Sequence, residues 1–138
     1  MTRHETIDAP TGPFGEDLEI IRAQLRRFIE TEVKPRGESW EAQGMVPREV
    51  LRQMGALGVL GMRYDEQYGG AGLDVMSSVM LAEEVGRSTF GGFSATVLVH
   101  TDMASPHLEN AGTPGQKARW MPGITAGKTI TAVAITEP

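Results

Sequence analysis

Apolar residues recur three and four positions apart along most of this chain, and that spacing commits it to helices. Between Glu16 and Val33 the residues Leu18, Ile21, Leu25, Phe28 and Ile29 form one stripe, the mark of a helix with a single buried face. Pro35 has no amide hydrogen and its ring crowds the preceding turn, so it is expected to end or break that helix. A further turn or two is expected around residues 38–43, with Trp40 inward. Pro47 stands where a first helical residue belongs, ahead of Val50, Leu51, Met54 and Leu57, and Gly58 is the expected stop.

Residues 59–74 have no period and are rich in glycine, which marks a loop. Asp74 can cap the next helix, expected to run through Val75, Val79, Ala82 and Val85 at helical spacing towards Gly86. Another helix is expected over residues 92–111, with Phe93, Thr96, Val97, His100, Ala104 and Leu108 inside, a bend at Pro106 and a stop at Gly112. The tetrapeptide "TPGQ", Thr113 to Gln116, then combines an N-cap threonine, a first-turn proline and a glutamine able to reach back, which is a capping box. Its helix carries Trp120 and Met121 and is expected to stop near Gly123.

The last segment, "KTITAVAITEP", is rich in β-branched residues and reads as a strand. A strand needs a neighbour for its backbone hydrogen bonds, and no earlier segment reads as one. The expected fold is therefore all-α: an N-terminal arm over residues 1–13, an antiparallel helical array over 14–127, and over 128–138 one C-terminal β-strand that opens a truncated β domain.

Several functions are excluded at this stage. The net charge is -5, and the one basic cluster, Arg22, Arg26 and Arg27, lies among acids and reads as the wet face of a helix, so a nucleic-acid surface is not expected. There is no cysteine, which removes thiol catalysis and disulfides and fits a reducing cytoplasm. No apolar run reaches the length of a membrane span. His4, His100 and His107 do not make a metal set. Glu83 and Glu84 are adjacent on a helix and point about a hundred degrees apart, which suits one buried ion pair and one wet carboxylate better than an acid–base couple. The stretch "DEQYGGAGLD", residues 65–74, fails as a calcium loop, with Gln67, Gly69 and Met76 at ligand positions, and its glycine spacing fails as a dinucleotide fingerprint. It reads either as a tight joint between helices or as a loop that lies against a ligand or another domain. His100, Asp102 and Ser105 fail as a triad, since residues two apart on a helix face different ways. No catalytic constellation is present.

The order of "YGGAGLD" (Tyr68 to Asp74), "LAEEVGR" (Leu81 to Arg87), a helix with Thr96 and His100, and "AGTPGQKARWMPGITAGKTITAVAITEP" from Ala111 onward resembles the N-terminal helical domain of the acyl-CoA dehydrogenases. The resemblance implies an FAD-dependent oxidoreductase of three domains, assembled as a homo-oligomer (a tetramer when complete). It removes two hydrogens across the α and β carbons of an acyl-CoA thioester in fatty acid metabolism and passes electrons to an electron-transfer flavoprotein. It places Val133, Ala134, Ile135 and Thr136 along the flavin, and Thr96, Val99, His100 and Met103 on the acyl-chain wall, as one helix face. It puts the catalytic base outside this sequence, so the chain alone is expected to be inactive and not to retain FAD. Two alternatives stay open: a stand-alone helical interaction module without catalysis, and the same domain from an acyl-CoA oxidase or a flavin monooxygenase.

Overall fold

The computed structural model describes residues 14–137. Seven α-helices follow one another among them: α1 (Glu16–Phe28), α2 (Lys34–Gln43), α3 (Arg48–Ala56), α4 (Val75–Gly86), α5 (Gly91–Leu98), α6 (Ser105–Ala111) and α7 (Pro114–Thr125). The arm expected over residues 1–13 lies outside the described residues.

Two π-helical segments, Ile29–Val33 and Val99–Ala104, weld α1 to α2 and α5 to α6 without a break. Each is followed by a proline in the first turn of the next helix, Pro35 in α2 and Pro106 in α6. A proline is tolerated there because the first-turn amide is not bonded within its own helix. The wider i→i+5 turn ahead of it absorbs the missing donor. Pro35 therefore does not end the first helix, contrary to the sequence expectation. The helix passes through the π segment and runs on to Gln43, where Gly44 closes it in the left-handed conformation at φ 70°.

The core gathers Leu18, Leu25, Ile29 and Val33 with Trp40, then Val50, Leu51 and Met54, Met80, Leu81 and Val85, and Phe93 and Val97. The loop after α3 also supplies Val59, Leu60 and Met62 to it. A smaller cluster joins Tyr64 to Met121 and Ile124. Asp74 caps α4 by accepting from the Met76 amide at 2.9 Å, and the Thr113–Gln116 capping box opens α7 in both directions. Pro47 is the residue before α3 rather than its first, and α7 runs two residues past Gly123.

Of the residues named along α4, Val85 is buried, but Val75, Val79 and Ala82 face out. Ser77, Met80, Leu81, Glu84 and Val85 are buried, while Val75 is 58% and Val79 47% exposed. Helix α4 is apolar nearly all round, so spacing alone offers two inner faces, and Glu84 distinguishes them. Its side chain is wholly buried. Arg22 Nε donates to Oε1 at 2.7 Å, Arg26 Nε to Oε2 at 2.9 Å and Arg26 Nη2 to Oε1 at 2.6 Å. Arg22 and Arg26 are thus not simply a solvated stripe; they reach from α1 across to α4, while Arg27 is exposed and 43% of the Arg26 side chain stays in solvent. Glu83 is the wet neighbour, 3.1 Å from Arg22 Nη2.

The expected strand is absent among the described residues. Lys128 and Thr129 donate to the Gly123 carbonyl, each at 2.9 Å, and residues 130–137 have no regular structure. A strand forms only against a ladder partner, and none lies among the described residues. Nor is any helix there long and apolar enough to cross a membrane.

Removing Glu84 leaves two guanidinium groups facing a hole. Glu84→Ala is expected to cost about 3–5 kcal/mol, read as a lower urea midpoint. Burial pushes the Glu84 carboxyl up, but the bonds and charges of Arg26 and Arg22 outweigh it and hold the group below its ordinary 4.5. The clamp therefore contributes fully above that value and is lost as pH falls through the depressed folded value. Midpoints measured over a pH series should show that loss in wild type and not in the variant.

Candidate functional site

The four residues expected on the acyl wall do not share one face. The π segment takes more than four residues per turn, so residues three apart, such as His100 and Met103, lie further round from each other than in an α-helix. His100 is wholly buried and Met103 is 53% exposed. Val99 and Thr96 are half-buried, and the Thr96 hydroxyl donates to the Gly92 carbonyl at 2.7 Å.

His100 instead forms a junction. Its Nε2 lies 3.1 Å from the Ile124 carbonyl, so that nitrogen carries the hydrogen. Its Nδ1 accepts from the Thr131 amide at 3.1 Å. Burial, partly opposed by the Ile124 bond, holds the ring below its ordinary 6.5, and the neutral form fits both partners.

Two cavities flank this helix. One, of about 470 Å³, opens between α2 and α5 and is lined by Trp40, Met45, Leu51, Phe90, Phe93 and Thr96, among others. The other, about 230 Å³, lies between α4 and the second π segment, where Tyr64, Ser78, Leu81 and Asp102 meet. Ser78 Oγ donates to Asp102 Oδ1 at 2.7 Å and Thr101 Oγ1 to Asp102 Oδ2 at 2.6 Å. Arg63 Nη1 lies 3.7 Å from the same carboxylate. The Tyr64 hydroxyl donates to the Thr101 carbonyl, and burial pushes its pKa up to about 12. Sequence reasoning did not single out Ser78 or Tyr64. The legible signal was Asp102, a lone charge inside an apolar helix.

The Ser78–Asp102 bond is a seam between α4 and the α5–α6 helix. Val75 and Ala82 lie one turn to either side of Ser78, and Leu98 lies one turn before Asp102. Val79 and Met103 are exposed beside them. An apolar outer surface therefore borders a polar seam.

The glycine loop is shaped by its own backbone. Asp65 caps the short turn Glu66–Tyr68 through the Gln67 amide. The Ala71, Gly72 and Leu73 amides then donate back to Gly61, Tyr64 and Met62. A Cβ on Gly70 would stand 2.0 Å from the Tyr64 carbonyl oxygen, so glycine is required there for close approach within the chain. Among the described residues no group of His, Asp or Glu could hold a metal ion. Glu84 is committed to its clamp and both oxygens of Asp102 to hydroxyls, so neither is placed as a base.

Of the segment assigned to the flavin, Val133 is half-buried while Ala134, Ile135 and Thr136 are exposed, Ile135 by 77%. Among the described residues the backbone of 132–137 has no hydrogen-bond partner.

These features define an all-helical domain whose buried polar groups are structural and whose apolar outer surface lies on α4 and the second π segment. Residues 15–128 match the family described as acyl-CoA dehydrogenase, N-terminal domain. The chain is 39% identical over 127 residues to the long-chain specific acyl-CoA dehydrogenase, mitochondrial, of Rattus norvegicus, covering 91% of this chain and 29% of that protein. It is 32% identical over 124 residues to the (2S)-methylsuccinyl-CoA dehydrogenase of Cereibacter sphaeroides, covering 89% of this chain and 22% of that one. The crystal structure of an acyl-CoA dehydrogenase from Geobacillus kaustophilus superposes with a TM-score of 0.82 at 36% identity, over 89% of this chain and 32% of that chain. A glutaryl-CoA dehydrogenase from Mycobacterium smegmatis in complex with FADH2 gives 0.76 at 32% identity, over 83% and 29%. The chain belongs to the acyl-CoA dehydrogenase family, as the motifs implied, and carries its N-terminal domain. It spans less than a third of the length of these relatives.

The two kinds of glycine in the loop make different demands. Gly70→Ala drives a methyl into backbone and is expected to cost about 1–3 kcal/mol. Gly72→Ala, at φ 59° and meeting only ordinary contacts with Glu66, is expected to cost about 1 kcal/mol through its left-handed backbone. Urea midpoints of the two variants check the order.

Proposed function

We propose that this chain is the acyl-side wall of an FAD-dependent acyl-CoA dehydrogenase, which forms a carbon–carbon double bond between the α and β carbons of an acyl-CoA thioester. The observation that carries the reading is the apolar outer surface along the Ser78–Asp102 seam, with Val75, Val79 and Met103 exposed, in a domain of this family. An alkyl chain laid there keeps its apolar atoms from water at about 25 cal/mol per Å² buried. Asp102 and Ser78 satisfy each other, so the seam does not compete for a tail that has no polar group.

Whether this chain's residues suit a flavin can be judged from residues 132–137. Ala132 and Ala134 are small, the backbone donors and acceptors are unpaired among the described residues, and the Thr136 hydroxyl is on an exposed residue. That set fits one edge of a planar heterocycle. It does not fit the whole dinucleotide, because the glycine loop folds onto its own backbone and offers no phosphate cradle. The remaining contacts and the α-proton base belong to other parts of the enzyme. FAD, when bound, supplies the acceptor for the β hydride. This chain's part is to hold the tail so that the reacting carbons stay in line with base and acceptor. Onward transfer to an electron-transfer flavoprotein and assembly into a homotetramer belong to the same proposal.

The chain by itself is expected to purify without flavin absorbance. Stoichiometric flavin on the 138-residue chain would contradict the single-edge assignment. In the flavin-loaded enzyme, Val79→Phe places a ring on the proposed wall at a position that the core does not use. Catalytic efficiency is expected to fall about tenfold or more for long acyl chains, the equivalent of about 1–3 kcal/mol of overpacking, and to stay near wild type for short ones. An acyl-length series measures it, and an equal change at every length would show that the tail lies elsewhere.

A further inference from the structure

We propose that His100 is a positioning residue for the segment Thr131–Thr136, fixing through its Nδ1 lone pair where that segment leaves the helical domain, and that it does so only while the ring is neutral. The proposal rests on the reading of Val133–Thr136 as the flavin-side segment.

Thr131 is the last firmly held residue of the segment. Its amide donates to His100 Nδ1 at 3.1 Å. Its hydroxyl lies 3.0 Å from the same nitrogen, donates to the His100 carbonyl at 3.2 Å, and is 2.8 Å from Ser105 Oγ. The next residues, from 132 to 137, make no backbone hydrogen bond among the described residues. Val133 begins about 7 Å further on, at about 3.3 Å per extended residue. The angle at which the segment departs is therefore set at Thr131, and Thr131 is set by the imidazole. The ring is itself fixed from behind, because Nε2–H donates to the Ile124 carbonyl at 3.1 Å.

The hydrogen bond from the Thr131 amide requires the neutral ring, because a protonated Nδ1 could donate only to the Thr131 hydroxyl oxygen 3.0 Å away and would give that bond up. A protonated ring carries hydrogens on both nitrogens, so Nδ1–H would face the Thr131 N–H, donor against donor. The groups around the ring offer no charge to offset this. Helix α7 contributes the Ile124 carbonyl, and its Arg119, like Lys128 beyond it, is exposed. On the ring's own helix Asp102 is occupied by Ser78 and Thr101. From the loop, Tyr64 is occupied by the Thr101 carbonyl. The hold is accordingly complete above the ring's ordinary 6.5 and is lost as pH falls through the lower value that burial imposes on the folded ring.

Two substitutions divide the ring's two nitrogens. The amide oxygen of His100→Asn falls near the position of Nδ1 and cannot titrate; the longer His100→Gln reaches the position of Nε2 and leaves Thr131 without its acceptor. Amide hydrogen exchange and nitrogen-15 spectra of the 138-residue chain are measured from pH 8 downward, a range chosen to bracket about 6.5. In wild type, protection of the Thr131 amide is expected to fall about tenfold or more over the interval in which the ring nitrogens of His100 titrate. The amides of 133–136 should shift with it while those of Leu25 and Phe93 stay protected. His100→Asn should keep Thr131 protected at every pH, and His100→Gln should lose that protection at every pH. Thr131 protection that ignores the ring's titration, or Asn and Gln variants that behave alike, overturns the proposal. The wild-type titration decides alone if a variant does not fold. No flavin enters these readouts, so their failure leaves the acyl-wall reading standing, and a failed acyl-length series leaves this one standing.

Discussion

The Glu84 carboxylate is the constraint on which the rest of the domain depends. A lone carboxylate cannot be buried without several kcal/mol of compensation, and here two arginines from α1 provide it at 2.6–2.9 Å. That requirement fixes the rotation of α4 about its axis. Once Glu84 faces α1, Met80, Leu81 and Val85 are inside, and Val75 and Val79 must face out. The outer apolar surface is thus a consequence of one buried charge. Oily residues on the wet side of a helix are commonly a sign of something that covers them, and in this family member the proposed cover is an acyl chain.

The two π segments do related work along the chain. A continuous α-helix cannot take a proline in its interior without losing a bond, yet Pro35 and Pro106 both sit within helices that go on past them. Widening the turn ahead of each proline keeps the helix in one piece. In the second case it also rotates His100 into the core and away from Met103, so the ring meets Thr131 and Ile124 instead of the outer surface.

Much of the helical plan was legible in the sequence because it is local. Asp74, the Thr113–Gln116 box and the Leu18–Ile29 stripe each act within a turn or two, and each appears where its chemistry places it. What was not legible shares a different cause. The side that α4 buries depends on arginines more than fifty residues away, which no periodicity reports. The face shared by Thr96, Val99, His100 and Met103 assumed 3.6 residues per turn through a stretch that is π-helical. The strand over 128–138 followed from β-branched composition, which expresses fit to a sheet and cannot supply one. The loop "YGGAGLD" reads either as a tight joint or as lying against a ligand or another domain, and what approaches Gly70 is Tyr64 of the same chain.

The proposed place of the acyl chain is the outer surface of α4 and the second π segment. An acyl-CoA with a photoreactive diazirine at the end of its alkyl tail, bound to the flavin-loaded enzyme and irradiated, reports that contact residue by residue. Adducts on the Val75–Val79 turn of α4 and on Met103 are the predicted result. Adducts confined to the Trp40–Phe93 cavity between α2 and α5, or found only outside this domain, would contradict it.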